Sequence, residues 1–191
     1  MLKFRYLLYV FILFALSPSV FSANDLSISD EAYDALSSQK WENAREKIIQ
    51  LDKDDPITNL YWGIYYGNRN NPFSDDKLAT TYLEKAAIDN LLHARLLLAG
   101  RLLFNDNPLV TDYSRGIFWA KTILPTLESN PNNSEYAKNL AMFYLLGIGV
   151  EKDIEKAVCL FERAASKGDL FSRNKLEQLK SYDVNGCKQL K

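Results

Sequence analysis

The chain has 191 residues, 47% of them hydrophobic and 25% charged, with a formal net charge of −1. These values suit one compact domain or one short repeat array and exclude a disordered chain, because there is enough apolar surface to bury. The near-neutral balance also argues against nucleic acid as a ligand, since phosphate binding needs a concentrated basic face.

The N-terminal segment reads as a secretory signal peptide over residues 1–22. Lys3 and Arg5 make a short positive region, Leu7 to Leu16 is an uncharged apolar run, and Ser17-Pro18 breaks it. A cut after Ser22 is expected, with Ala23 as the alternative. The run is short of the ~20 residues a membrane span needs, so no stable anchor is expected after cleavage. Removing 1–22 would leave 21 basic against 24 acidic residues, a net charge of −3.

The first helical pair is expected over 23–56. Glu31 to Leu36 reads as a short helix, and Gln39 opens a second that ends near Leu51-Asp52. Pro56 then stops that pair and suits the first turn of the next helix. From 57 to 168 three further helix pairs are expected, at about 57–92, 93–133 and 134–168. In each second helix an anchor residue follows an aspartate by four positions. Asp75 leads to Ala79, Asp112 to Gly116 and Asp153 to Ala157, and apolar residues recur three, four, seven and eight positions after each. Aspartate is a favoured N-cap, so each marks a helix start.

The first helix of each pair carries a large-small-x-x-large pattern: Trp62-Gly63 to Tyr66, Leu98-Ala99 to Leu102, and Leu140-Ala141 to Tyr144. The small residue lets a neighbouring helix approach. Between the paired helices, Asn68 to Phe73 is expected as a surface loop. A second loop is expected over Leu127 to Ser134, with Pro125 cutting short the helix before it. At the end, 169–191 is expected to hold a capping helix, Asp169 to Tyr182, with Leu170, Phe171, Leu176 and Leu179 turned inward, and then a tail. Val184 to Cys187 reads as a turn.

The two cysteines, Cys159 and Cys187, are compatible with one disulfide in an exported chain. It would close a loop of 28 residues and add ~3 kcal/mol by the chain-entropy model. The alternative is a buried apolar Cys159 and a free thiol at Cys187.

Leu140 to Gly168 resembles the Sel-one-like repeat family, a branch of the tetratricopeptide-like helical repeats. The motif runs L-G-x-x-Y-x-x-G-x-G-V-x-x-D-x-x-K-A-x-x-W/L-Y/F-x-K/R-A-A-x-x-G, with Ala141 standing at the first glycine. Trp62 to Ala87 resembles it without the G-x-G-V turn, where Asn70-Asn71-Pro72-Phe73 stands. Leu98 to Leu124 is degenerate, and Asp30 to Pro56 is similar to an ordinary tetratricopeptide unit. The resemblance implies an all-α fold, a right-handed superhelical α-solenoid of antiparallel helix pairs that holds other proteins in its groove or on its edges. Some disulfide-rich members carry a β-lactamase-like activity. The cysteine pattern that marks them is missing here.

The sequence offers little chemistry. One histidine, His93, cannot build a multi-histidine metal site, and no G-x-S-x-G elbow occurs. Gly147-Ile148-Gly149 reads as an interhelix turn rather than a phosphate loop. The paired acids Asp54-Asp55 and Asp75-Asp76 read as helix caps. No metal, cofactor or catalytic residue is expected.

The expected partner-binding surface is a concave groove lined by Leu60, Ile64, His93, Leu96, Leu103, Phe104, Lys138, Met142 and Leu145. The opposing reading buries these residues, because one residue of misregister swaps the faces. The function expected is therefore that of an exported, periplasmic, non-enzymatic scaffold binding one protein partner. A toxin or effector is one candidate for that partner. The alternative is an immunity protein that neutralises an antibacterial type VI secretion lipase effector, and a third reading is a cell-wall-acting hydrolase.

Overall fold

The computed structural model describes residues 23–180 and Cys187. The expected signal peptide and its cleavage site after Ser22 lie outside the described residues. So do the last two positions of the expected capping helix and the turn at 184–186. Among the described residues there are nine helices and no strand, the all-α class the sequence implies. They are α1 (Ala23–Ser37), α2 (Trp41–Ile48), α3 (Pro56–Gly67), α4 (Asp76–Ile88), α5 (Leu92–Phe104), α6 (Tyr113–Ser129), α7 (Ser134–Leu146), α8 (Ile154–Ser166) and α9 (Leu170–Gln178).

The chain forms two compact units divided after Gly116, inside α6. In the first unit α1 packs on α2, α3 on α4 and α4 on α5. In the second α7 packs on α8 and α8 on α9.

One backbone device recurs in every pair after the first, and the aspartate of each repeat supplies it. The N–H of Asp75 donates to the Tyr66 carbonyl, that of Asp112 to the Leu102 carbonyl and that of Asp153 to the Tyr144 carbonyl, each at 2.9 Å. This ties the start of the second helix to the end of the first. The aspartate carboxylate then accepts from backbone N–H groups of the second helix: Lys77 and Leu78 for Asp75, Arg115 for Asp112, Lys156 for Asp153. Its carbonyl accepts from the anchor residue four places on, Ala79, Gly116 or Ala157. Each cap is worth about 1 kcal/mol, and it fixes the register in which the two helices meet.

That register brings small residues against large ones. A methyl placed on Gly63 of α3 would lie 2.6 Å from Leu83 Cδ2 of α4, and one on Gly116 would lie 2.6 Å from Leu103 Cγ. The anchors Ala79 and Ala157 are fully buried, as are Ala86, Ala87 and Ala164 on the same helix faces. In the first pair Trp41, Ala44 and Ile48 of α2 close on Ala32, Ala35 and Leu36 of α1, with Tyr61 and Tyr65 of α3 completing that core.

The turns differ between the two units. After α7, Gly147 and Gly149 adopt φ of 71° and 70°, conformations that L side chains adopt only at a cost. Gly149 also lies close to α6, where a methyl would sit 3.1 Å from Lys121 Cγ. In the first unit asparagines do the same work. Asn68 Oδ1 accepts from Asn70 N at 2.9 Å and Asn71 Oδ1 from Phe73 N at 3.0 Å. Such side-chain turns stand in for backbone turns.

Four local expectations are corrected. Gln39 does not open α2. It has φ of 56°, and the helix begins at Trp41 after Lys40. Pro125 sits inside α6 rather than ending it. The missing proline N–H costs one helical bond, yet Leu127 two residues further is fully buried, so packing holds the last turn and the loop shrinks to residues 130–133. Asn71, expected on the surface, is buried and donates from Nδ2 to the Tyr65 carbonyl at 2.7 Å. Leu170, expected inward, is largely exposed, while Phe171, expected inward with it, is buried; Asp169 caps α9 and so sets the phase that turns Leu170 out.

Candidate protein-binding surfaces

The structure does not make an exposed groove of the nine residues expected to line one. Leu60 on α3, Leu96 and Leu103 on α5, and Lys138 on α7 are buried, and Ile64, His93, Phe104, Met142 and Leu145 are half-buried. The reason is the helix register just described. Leu103 is committed to Gly116, and Lys138 Nζ lies 3.9 Å from Asp169 Oδ2 at the cap of α9. Leu60, Leu96, Leu103 and Lys138 are therefore packing residues.

The aromatic residues of α3 and its partner α4 are spent on packing as well. Trp62 and Tyr66, one turn apart on α3, stack at 5.6 Å between centroids, and Tyr66 stacks on Tyr82 of α4 at 5.8 Å. Burial raises the Tyr66 phenol above its ordinary pKa, helped by the neighbouring Tyr82 and Tyr65. Rings that face one another leave little free face for a ligand.

The middle repeat departs from its neighbours. Counting three positions from the first large residue of each pattern gives Tyr65, Arg101 and Phe143. The outer two are buried aromatics. Arg101 is 1% exposed and heads the largest fully buried side chains. Its Nε donates to Thr80 Oγ1 at 3.0 Å, its Nη2 donates to the Asp76 carbonyl at 3.0 Å, and the same nitrogen pairs with the Asp76 carboxylate. Asp76 was expected only to cap. Asp75 does the capping, and Asp76 turns to the arginine.

The carboxylate reaches further. Asn107 Nδ2 donates to Asp76 Oδ2 at 3.1 Å and Asn105 Nδ2 to Oδ1 at 3.4 Å. Burial pushes the Asp76 pKa up. The Asn107 hydrogen bond, the Arg101 charge and the Asn105 hydrogen bond more than offset it, so the net shift is downward.

The two asparagines begin the loop between α5 and α6, and both also shape it. Asn105 Oδ1 accepts from Asn107 N at 2.8 Å, Asn107 Oδ1 accepts from Leu109 N at 3.0 Å, and Thr111 Oγ1 donates to the Asn105 carbonyl at 3.0 Å. Arg69 Nη1 in the α3–α4 loop donates to Asp106 Oδ2 at 2.9 Å. Asn70 Nδ2 in turn donates to Gln39 Oε1 at 3.2 Å. The three intra-pair loops of the first unit are thus laced along one edge.

In the second unit Lys156 Nζ donates to the Tyr144 hydroxyl at 2.7 Å, and that hydroxyl donates to Glu128 at 3.1 Å. Cys159 on α8 is joined to Cys187 with Cα atoms 5.1 Å apart, so the tail is tied to the body. Among the described residues no cluster of His, Cys, Asp and Glu is arranged to hold a metal ion, and no helix is long and apolar enough to cross a membrane.

Two segments match the family model of the Sel1 repeat, residues 59–90 and 134–169. They coincide with α3–α4 and α7–α8, the two pairs whose sequences carry the motif best. The chain thus carries two Sel1-like repeats, each a pair of helices. Its α5–α6 pair, with Arg101 in an aromatic position, lies between the matched segments. Among solved structures, a Sel1 repeat protein from Oxalobacter formigenes is similar at 21% identity, over 78% of this chain and 74% of that one, with a TM-score of 0.48. No curated protein matches the chain. Sel1 repeats in general mediate protein–protein interaction.

Proposed function

We propose that this Sel1-repeat chain is exported to the periplasm through a signal peptide over 1–22 and there binds one protein partner, without catalysis of its own. The observation that carries the reading is the pair of Sel1 repeats, since stacked helical hairpins build surfaces for recognition. Two features support export: the basic start followed by the apolar run Leu7 to Leu16, and the Cys159–Cys187 disulfide, a bond that persists in oxidising compartments.

Three measurements test the proposal. N-terminal sequencing of the protein recovered from its own cells is expected to start at Ala23, and an intact Met1 in the cytoplasmic fraction would refute export. Co-expression with the product of the adjacent gene is expected to give a stable complex on size-exclusion chromatography. If that product is a lipase and its activity is lost in the complex, the chain acts as an immunity protein; if activity survives, it is an adaptor. Hydrolysis of cell-wall material by the purified chain would refute the non-catalytic reading.

A further inference from the structure

The helix that closes the second unit is poorly supported by its own packing. α9 has nine residues, and a helix this short is marginal without tertiary contacts. Its contacts are mainly to α8. Phe171 is the one apolar side chain of α9 that is buried, with Leu176 half-buried. Phe171 meets Phe161 of α8 with ring centroids 6.3 Å apart. By contrast α8 buries Ala157, Val158, Leu160, Phe161 and Ala164.

The other buried residues of α9 are polar. Ser172 is fully buried, and its hydroxyl has no hydrogen-bond partner among the described residues. Lys175 is buried with its ammonium 5.4 Å from the centroid of the Phe171 ring, and Nζ donates to Gln178 Oε1 at 3.4 Å. Burial lowers the Lys175 pKa below the ordinary lysine value. An unpaired hydroxyl and a partly desolvated ammonium both work against the docked helix. Ordering the backbone of a nine-residue helix also costs more than one buried phenylalanine returns.

Two ties supplement this interface. Asp169, the N-cap of α9, places Oδ2 3.9 Å from Lys138 Nζ of α7, a long contact for an ion pair. The second tie is covalent. Cys159 of α8 is bonded to Cys187, 28 residues on, so α9 lies inside the closed loop. Closing a loop of that length shifts an equilibrium roughly a few hundred-fold by chain entropy. The bond therefore contributes more to holding α9 than the contacts of the helix itself.

We propose that α9 is a redox-locked cap. It is docked on α8 while the Cys159–Cys187 bond is intact. It leaves α8 when both cysteines are thiols, uncovering Phe161, while α7 and α8 stay folded on one another. Repeat arrays need a terminal cap to shield their last apolar face, and here that cap is conditional on oxidation.

Locking turns two thiols into one disulfide. The two electrons and two protons pass to the disulfide of an oxidising partner protein, which leaves as a dithiol. Unlocking is the reverse. The thiolate of a dithiol attacks Cys187, which is half-buried where Cys159 is buried. Cys159 leaves as a thiolate and takes up a proton. The second thiol of the reductant then displaces Cys187, and the reductant ends as a disulfide. In the export proposed above the chain crosses as thiols and the cap closes afterwards, but the lock itself does not depend on that route.

Hydrogen exchange of the purified chain, resolved by peptide, tests the lock. Three forms are compared: the oxidised chain, the wild type kept reduced in dithiothreitol, and Cys187→Ser without reductant, which leaves the buried Cys159 in place. The amides of α9 are expected to exchange about 100-fold faster in both thiol forms. This is less than the full loop-closure effect, because the short turn after α8 already holds one end of the helix. The amides of α7 and α8 are expected to change less than about threefold. Reoxidation of the reduced chain is expected to restore slow exchange in α9.

Slow exchange in α9 in both thiol forms would mean that the helix docks by its own packing, and would overturn the proposal. Fast exchange in α9 in the oxidised chain would overturn it as well, since the bond would then hold nothing. Equal acceleration of α7, α8 and α9 would make the bond a support of the whole unit and not a lock on its cap. None of these outcomes bears on export or on protein binding, which the measurements above decide separately.

Discussion

Gly63→Ala tests the repeat architecture at the point where two helices come closest. Glycine in a helix interior is worth about 1 kcal/mol less than alanine, so propensity alone predicts that the substitution stabilises. The structure predicts the opposite. The new methyl would lie 2.6 Å from Leu83 Cδ2, 2.7 Å from Cγ and 3.3 Å from the Leu83 backbone nitrogen. Leu83 is buried and cannot swing clear, and the backbone contact requires α4 itself to move away. Overpacking of this kind costs about 1–3 kcal/mol. Taking the upper part of that range and subtracting the propensity gain leaves a net loss of about 2 kcal/mol. Leu83→Ala alone should cost about 3 kcal/mol through its cavity. In the double variant the methyl of residue 63 occupies the vacated space. The combined loss should then fall short of the sum by about 2 kcal/mol. Urea unfolding followed by fluorescence in a Trp119→Phe background measures this, because Trp41 and Trp62 both lie in the first unit. A neutral or stabilising Gly63→Ala, or strict additivity with Leu83→Ala, would refute the close approach of α3 and α4.

Two further outcomes follow from other contacts. Asp76 is held below its ordinary value of 3.8 in the folded chain, so the stability it contributes is fully present above about pH 4 and is lost as pH falls through the lower folded value. Asp76→Asn should cost about 2 kcal/mol at pH 6, less than for a fully buried pair because the carboxylate is partly exposed. Its urea midpoint should converge on that of the wild type as pH falls through the lowered folded value, and a difference independent of pH would contradict the pairing. Cys187→Ser should lower the stability of the second unit by about 3–4 kcal/mol through the opened 28-residue loop. Dithiothreitol should bring the wild type to the same unfolding midpoint and leave the variant unmoved.

What the sequence determined by itself was the periodic part. Asp75, Asp112 and Asp153 mark helix starts because carboxylates satisfy the free N–H groups of a first helical turn, a local interaction that spacing alone reveals. The apolar positions after each anchor fix which face of the second helix is buried, for the same local reason. The large-small-x-x-large pattern at Trp62-Gly63 and Leu140-Ala141 likewise announced close packing. The tertiary structure decided what depends on phase and on distant partners. Four of the nine expected groove residues, Leu60, Leu96, Leu103 and Lys138, are buried, because a rotation of one residue, 100° on a helix, exchanges inside for outside. Pro125 reads as a helix breaker until the buried Leu127 beyond it is seen. Arg101 looks like one more surface cation in Leu98-Ala99-Gly100-Arg101-Leu102. Its pairing with Asp76, 25 residues earlier, becomes visible only when α4 and α5 are packed, because an ion pair across that separation leaves no periodic trace in the chain.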